Sequence, residues 1–152
     1  MDEQTYMQSV MALERNLYRV ARSVLRNDSD AADAVQEAVV RGWLARRTLR
    51  ENAAFKAWIT RILVNECRNI QRTEGRRREA ERRLAEEPPP DKHGGLGEAL
   101  EALPHKYRLV VTLHYIEGYE YSEIARITGM KEGLVKSRLY QARKALSGIL
   151  EE

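Results

Sequence analysis

The sequence predicts an all-α chain: two small helical domains joined by a Pro/Gly linker, the C-terminal one a helix-turn-helix. Three observations carry that reading. Apolar residues recur at helical spacing along most of the 152 residues. Ala, Leu, Arg and Glu dominate the composition, while strand-forming runs are scarce. One segment, Glu86-Glu87-Pro88-Pro89-Pro90-Asp91-Lys92-His93-Gly94-Gly95, interrupts both patterns. Ala and unbranched side chains lose least freedom in a helix. Prolines withdraw backbone donors and the two glycines add backbone freedom, so no helix is expected through the break. The expected domains are residues 1–84 and 98–152, with a linker over 85–97. Each half is close to the lower size limit for an independent core.

Within the first half, periodicity predicts helices over about 3–26, about 30–46 and from about 53 to beyond 72. Asn27-Asp28-Ser29-Asp30 supplies turn and cap chemistry between the first two, because short polar side chains accept from exposed helical N–H groups. In the second half helices are expected near 98–103, 105–117, 121–128 and 132–149, with Pro104, Gly118 and Gly129 marking the breaks.

A net charge of +3 and a pI near 9.1 are modest, and whole-chain charge says little about nucleic acid. Its distribution says more. Residues 41–84 hold thirteen Lys/Arg against five Asp/Glu, whereas residues 85–104 hold one Lys and five acids. A lone cysteine, Cys67, excludes an internal disulfide, and His93, His105 and His114 are scattered without metal-ligand spacing. A Gly-rich phosphate loop and convergent carboxylates are also missing, so no enzymatic activity and no cofactor are expected. Apolar runs are too short for a signal-peptide core or a span, so the expectation is a cytoplasmic chain without membrane insertion.

Residues 119–146 read as a short helix, a Gly turn and a second helix. Ile124, Ala125 and Ile127 can face inward on the first helix, and Gly129 permits a left-handed turn. On the second, Val135, Leu139, Ala142 and Leu146 fall within about 60° of one another at helical spacing and form the buried stripe. The opposite face then carries Lys136, Ser137, Tyr140, Gln141 and Lys144, flanked by Arg138 and Arg143, with Lys131 at its start. Donors, an amide and positive charge suit a DNA major groove. The alternative is a solvated Lys/Arg face on a helical hairpin.

The third helix has an apolar side of Phe55, Trp58, Ile59, Ile62 and Ile70. Beside it Arg61, Asn65, Arg68, Asn69 and Arg72 occupy a strip about 100° wide without a single acid. Arg and Asn both make paired hydrogen bonds, which suits phosphates and base edges. A solvated basic face is the alternative. The connector Arg46-Arg47-Thr48-Leu49-Arg50-Glu51-Asn52-Ala53-Ala54 reads as irregular and could hold an unstacked base.

On the second helix Ala31, Val35, Ala38, Val39 and Gly42 make the expected inward face, and Trp43 reads as core. Asp33 and Glu37 share the other side with Val40 and Leu44, bordered by Gln36. Apolar residues framed by carboxylates suggest a protein contact. Packing of Val40 and Leu44 on the first or third helix is the alternative.

Three sets of residues now carry a resemblance: Asp33-Ala-Val-Gln-Glu-Ala38 with Trp43; Phe55-Lys-Ala-Trp-Ile59 with Asn65-Glu-Cys-Arg-Asn69; and Val135-Lys-Ser-Arg-Leu139 with Ala142-Arg143. Together they resemble the sigma-70 superfamily, and more narrowly its extracytoplasmic-function sigma factors. The resemblance implies a subunit that directs core RNA polymerase to promoters. It would assign Asp33, Gln36 and Glu37 to the polymerase β′ coiled coil, with the apolar Val40 and Leu44 beside them as further candidate polymerase contacts. Arg50, Asn52, Arg61, Asn65, Arg68, Asn69 and Arg72 would fall to the minus-ten element and its melting. Lys131, Lys136, Ser137, Arg138, Tyr140, Gln141 and Lys144 would read the minus-thirty-five element, beside the polymerase β flap. Expected partners are core RNA polymerase through β′ and β, promoter DNA and an anti-sigma factor. The sequence departs from the family pattern at Ala32, Asn69, Lys131 and Leu134. The rival reading is a stand-alone helix-turn-helix regulator with an N-terminal dimerisation domain.

Overall fold

A computed structural model describes the backbone over residues 1–82 and 96–151, and side chains over 1–74 and 98–148. The described residues form helices and no strand, as expected for an all-α chain. The α-helices are α1 (Glu3–Ala12), α2 (Glu14–Val24), α3 (Asp28–Leu44), α4 (Phe55–Arg82), α5 (Leu96–Ala102), α6 (His105–Val111), α7 (Tyr121–Thr128) and α8 (Glu132–Glu151). Of the linker expected over 85–97, residues 96 and 97 open α5 and the rest lies outside the described residues.

The single helix expected over 3–26 is two. The chain leaves helical geometry at Leu13, with φ −106° and ψ 5°, and the Leu13 N–H turns back to the Val10 carbonyl at 3.0 Å. Periodicity hides this break because Tyr6, Val10, Leu17, Val20, Ala21 and Val24 are buried at spacings that stay helical across it. The α3 start has the expected cap chemistry: Asn27 Oδ1 accepts from the Asp30 N–H at 2.7 Å.

In the first half α3 and α4 pack against each other and on α2. Ala31, Ala34, Ala38 and Gly42 are the buried residues of α3, while Val35 and Val39 lie half-buried against the core. Ala34 thus takes the fully buried place expected for Val35 and Val39. Trp43 is half-buried rather than core, its ring 5.4 Å from Tyr6 and covered by the Arg46 guanidinium at 3.9 Å. The connector is less irregular than expected, since Arg46–Thr48 and Asn52–Ala54 each form a 3₁₀ turn. Trp58 pins it by donating from Nε1 to Thr48 Oγ1 at 3.0 Å.

In the second half the helix expected over 105–117 changes character midway. After α6 the chain winds into a π turn, Thr112–Ile116, which ends at Gly118 with φ +79°. A reciprocal capping box between Glu120 and Glu123 starts α7, and Gly129, with φ +74°, ends it in the left-handed conformation. Ile124 and Ile127 bury against Val135, Leu139 and Ala142, as the helix-turn-helix reading predicts, while Ala125 and Leu146 are half-buried at the margin.

One continuous cluster of buried residues runs through both halves. Helices α2 and α4 meet α6, the π turn and α7. The apolar side predicted for α4 accounts for only part of this, because Thr60, Val64 and Cys67 are also buried, on an arc well away from Phe55 and Ile62. Thr60 Oγ1 lies 3.1 Å from Tyr119 Oη, so that arc faces the second half.

Candidate nucleic-acid and partner-binding surfaces

The polar strip of α4 forms as its spacing demands. Arg61, Asn65, Asn69 and Arg72 are exposed, and Arg72 Nη2 donates to Asn69 Oδ1 at 2.9 Å. Arg68 differs. It is half-buried, and its Nη1 donates to the Thr128 carbonyl of α7 at 2.7 Å. Burial, and after it the nearby charges of Arg138 and Arg72, lower the Arg68 guanidinium pKa from its ordinary value. The strip therefore abuts the recognition-helix side of the other half. Arg50 and Asn52 lie in the connector before α4, Asn52 exposed.

On α8 the residues opposite the buried stripe include the exposed Lys136, Ser137, Tyr140, Gln141 and Lys144, with Lys131 just ahead of the helix. Arg138 is half-buried on the flank. The Lys136 ammonium lies 5.9 Å from the Tyr121 ring, and Arg143 Nη1 donates to Tyr115 Oη at 2.6 Å. Arg143 therefore has a partner on its own side of the fold, whereas Lys131, Ser137, Tyr140, Gln141 and Lys144 stand open to solvent.

Sequence reasoning missed a neighbouring basic cluster. Burial first, then the charges of Arg108, Arg138, Arg26 and Lys106, lower the His105 pKa from its ordinary value. These cations come from the loop between α2 and α3, from α6 and from α8. No local sequence pattern announces a cluster assembled from three separate segments.

The outer face of α3 carries Asp33, Gln36 and Glu37 beside Val40 at 55% and Leu44 at 74% exposure. Val40 and Leu44 are therefore not buried by packing on the first or third helix. With Tyr6, Met7, Val39 and Trp43 they line an apolar groove of about 240 Å³. On the other flank of α3, Gln36, Ala32 and Val35 face Glu14, Arg15, Tyr18 and Arg19 across a wider groove of about 610 Å³. Arg41 steadies the acidic face, its Nε lying 3.0 Å from Glu37 Oε1 and 2.8 Å from the buried Glu66 Oε1.

Among the described residues no group of three His, Cys, Asp or Glu side chains is placed to hold a metal ion. Nor is any helix there long and apolar enough to cross a membrane. Burial pushes the Cys67 thiol up to about 12, which keeps it protonated and unreactive in the folded chain.

Comparison with known proteins agrees with this layout. Residues 10–77 match the family model for sigma-70 region 2, and residues 93–146 match that for sigma-70, region 4. The chain is 32% identical over 138 residues to the RNA polymerase sigma factor SigV of Bacillus subtilis (strain 168), covering 88% of this chain and 83% of that protein. It is also 32% identical over 154 residues to the ECF RNA polymerase sigma-E factor of Escherichia coli (strain K12), with 87% and 81% covered. The sigma factor RpoE of Bartonella quintana, solved with the anti-sigma factor NepR, superposes with a TM-score of 0.81 at 26% identity. That match covers 97% of this chain and 98% of the other. CnrH, solved with the cytosolic domain of CnrY, gives 0.73 at 27% identity, with 99% and 90% covered. A region 2 match over most of the first half sets aside the stand-alone regulator with a dimerisation domain. The chain belongs to the sigma-70 family, among the extracytoplasmic-function RNA polymerase sigma factors.

Proposed function

We propose that the chain brings core RNA polymerase to promoters by dividing the work between residues 1–84 and 98–152. In the first part Asp33, Gln36, Glu37, Val40 and Leu44 bind the polymerase β′ subunit. Arg50, Asn52, Arg61, Asn65, Arg68, Asn69 and Arg72 hold the minus-ten element and trap bases that leave the stack. In the second part Lys131, Lys136, Ser137, Arg138, Tyr140, Gln141 and Lys144 read the minus-thirty-five element, beside the β flap. An anti-sigma factor is a further partner, one that would cover these same faces. The protein works by binding alone, without catalytic chemistry of its own.

The observation that carries the reading is the separation of faces by chemistry. An acidic and apolar face on α3 stands apart from two basic, amide-bearing faces on α4 and α8. Carboxylates repel DNA phosphates and so suit a protein partner, while Arg and Asn on α4 suit phosphates and base edges. Each DNA-binding part is small, and joining both to one polymerase raises their effective concentration on the promoter. Trapped unstacked bases offset the cost of opening, at about 1–3 kcal/mol per stacked base.

The test is charge reversal on α3. Asp33→Lys with Glu37→Lys should cut capture of core polymerase in a pull-down by roughly tenfold or more, with helicity unchanged by circular dichroism. Undiminished capture would remove α3 as the polymerase-binding face.

A further inference from the structure

We infer that Arg26, His105, Lys106, Arg108 and Arg138 form a binding site for a compact oligophosphate, a ligand of about two or three linked phosphate groups. The site shares only Arg138 with the promoter reading above and does not rest on it.

Arg108 is the fixed point. Its Nε donates to the Ser23 carbonyl at 3.1 Å and its Nη1 to the Glu101 carbonyl at 3.2 Å, which sets the guanidinium against the end of α2. Both acceptors are neutral, so they orient the charge without cancelling it. His105 and Lys106 share the first turn of α6 with Arg108. Arg26 lies in the loop just after α2, and Arg138 comes from α8, which packs on α6. Arg26, His105 and Lys106 are exposed while Arg108 and Arg138 are half-buried, so the cluster opens to solvent. Acids do not answer it. Among the described residues none of these five side chains has a carboxylate within ion-pair distance. Burial first, then Arg26 and Arg22, lower the Arg108 pKa, and the opposing effect of Glu101 is smaller than theirs. Arg22 itself is paired, its Nε 3.1 Å from Asp28 Oδ1, and stands aside.

Like charges gathered without counter-ions repel, and His105 registers it. Burial of its ring first, then Arg108, Arg138, Arg26 and Lys106, disfavour the imidazolium. Such perturbation by charges from several elements marks binding sites, because an anion turns the repulsion into affinity. The amount of charge selects the anion. A phosphate group brings about −1.5 to −2 near neutral pH, so two or three linked groups balance the four permanent cations where a lone carboxylate does not. Guanidinium forks take phosphate oxygens in pairs, and Lys106 adds a point charge. A duplex spreads its charge along a rod, one per about 1.7 Å of axis, whereas these side chains gather around one arginine. His105 makes the site proton-linked. A phosphate beside the ring favours its protonated form, so binding takes up a proton, and the His105 contribution to affinity grows as pH falls through the His105 midpoint.

The experiment titrates the full chain with inorganic triphosphate, in phosphate-free buffer, by isothermal calorimetry. One saturable site is expected. Arg26→Gln with Lys106→Gln, two exposed positions, should weaken it at least about tenfold with helicity unchanged by circular dichroism. Arg47→Gln, which removes an exposed charge from the connector instead, should leave it intact. In the unmodified chain the His105 ring proton, assigned by its absence from the NMR spectrum of His105→Gln, should titrate at higher pH once triphosphate is bound. Adenosine triphosphate identifies the source: tighter binding names a nucleotide and equal binding a free oligophosphate, and both support the site. Absence of saturable binding, or an unmoved His105 titration, would overturn it. So would a loss in Arg47→Gln as large as in the double variant, which reduces the effect to net charge. Duplex DNA bound through Arg26 and Lys106, with no binding of triphosphate, would also overturn the site and give the cluster to DNA.

Discussion

Gly42 shows how far a single residue can be read. Its place on the inward face of α3 follows from spacing alone, but the reason no side chain fits there does not. A Cβ at Gly42 would come within 2.5 Å of Tyr6 Oη and 2.7 Å of Ile59 Cδ1, because Tyr6 donates its hydroxyl to the Val39 carbonyl just there. Gly42→Ala should therefore destabilise the fold by about 1–3 kcal/mol, the usual cost of overpacking, despite the better helix propensity of Ala. Urea denaturation followed by circular dichroism measures it, and an unchanged or higher midpoint would contradict the packing described. Arg68 shows the same limit. Its membership of the α4 strip is legible from a hundred-degree wheel, whereas its bond to the Thr128 carbonyl joins residues 60 positions apart and leaves no local trace.

At the scale of the element, periodicity recovers what each helix buries against its near neighbours. The buried stripe of α8, the left-handed stop at Gly129 and the Asn27 cap all follow from spacing and residue type. Where it fails, the cause is physical. The break at Leu13 keeps the apolar phase intact on both sides, and the π turn after α6 shifts Glu117 inward without altering the composition around it. Helix α4 was legible as one apolar face and one basic strip, but it buries a second face against the other half. Its strip gives the element's prediction. Asn65→Ala with Arg68→Ala should slow promoter opening, seen as permanganate reactivity, on the order of tenfold, while closed-complex binding falls much less. Equal losses in both steps would assign these residues to phosphate anchoring and take the melting role from α4.

For the molecule as a whole, class and function were legible because composition, charge and motif order all pointed the same way. An acidic, Pro-rich break separated a basic half from a helix-turn-helix half, and the apolar Val40 and Leu44 of α3 were exposed beside its acids as their spacing implied. The docking of the halves was not legible, since its bonds join Asn16 and Arg19 to Glu117 across about a hundred residues. In the proposed division of work, polymerase supplies the affinity that each small DNA-binding part lacks. The decisive check is run-off transcription from genomic fragments, with core polymerase and this chain added separately and together. Discrete promoter-dependent transcripts are expected only with both present, along with weak duplex binding by the chain alone at physiological salt. Tight, sequence-specific duplex binding by the chain alone, with no transcript from the mixture, would refute the division of work proposed for its two halves.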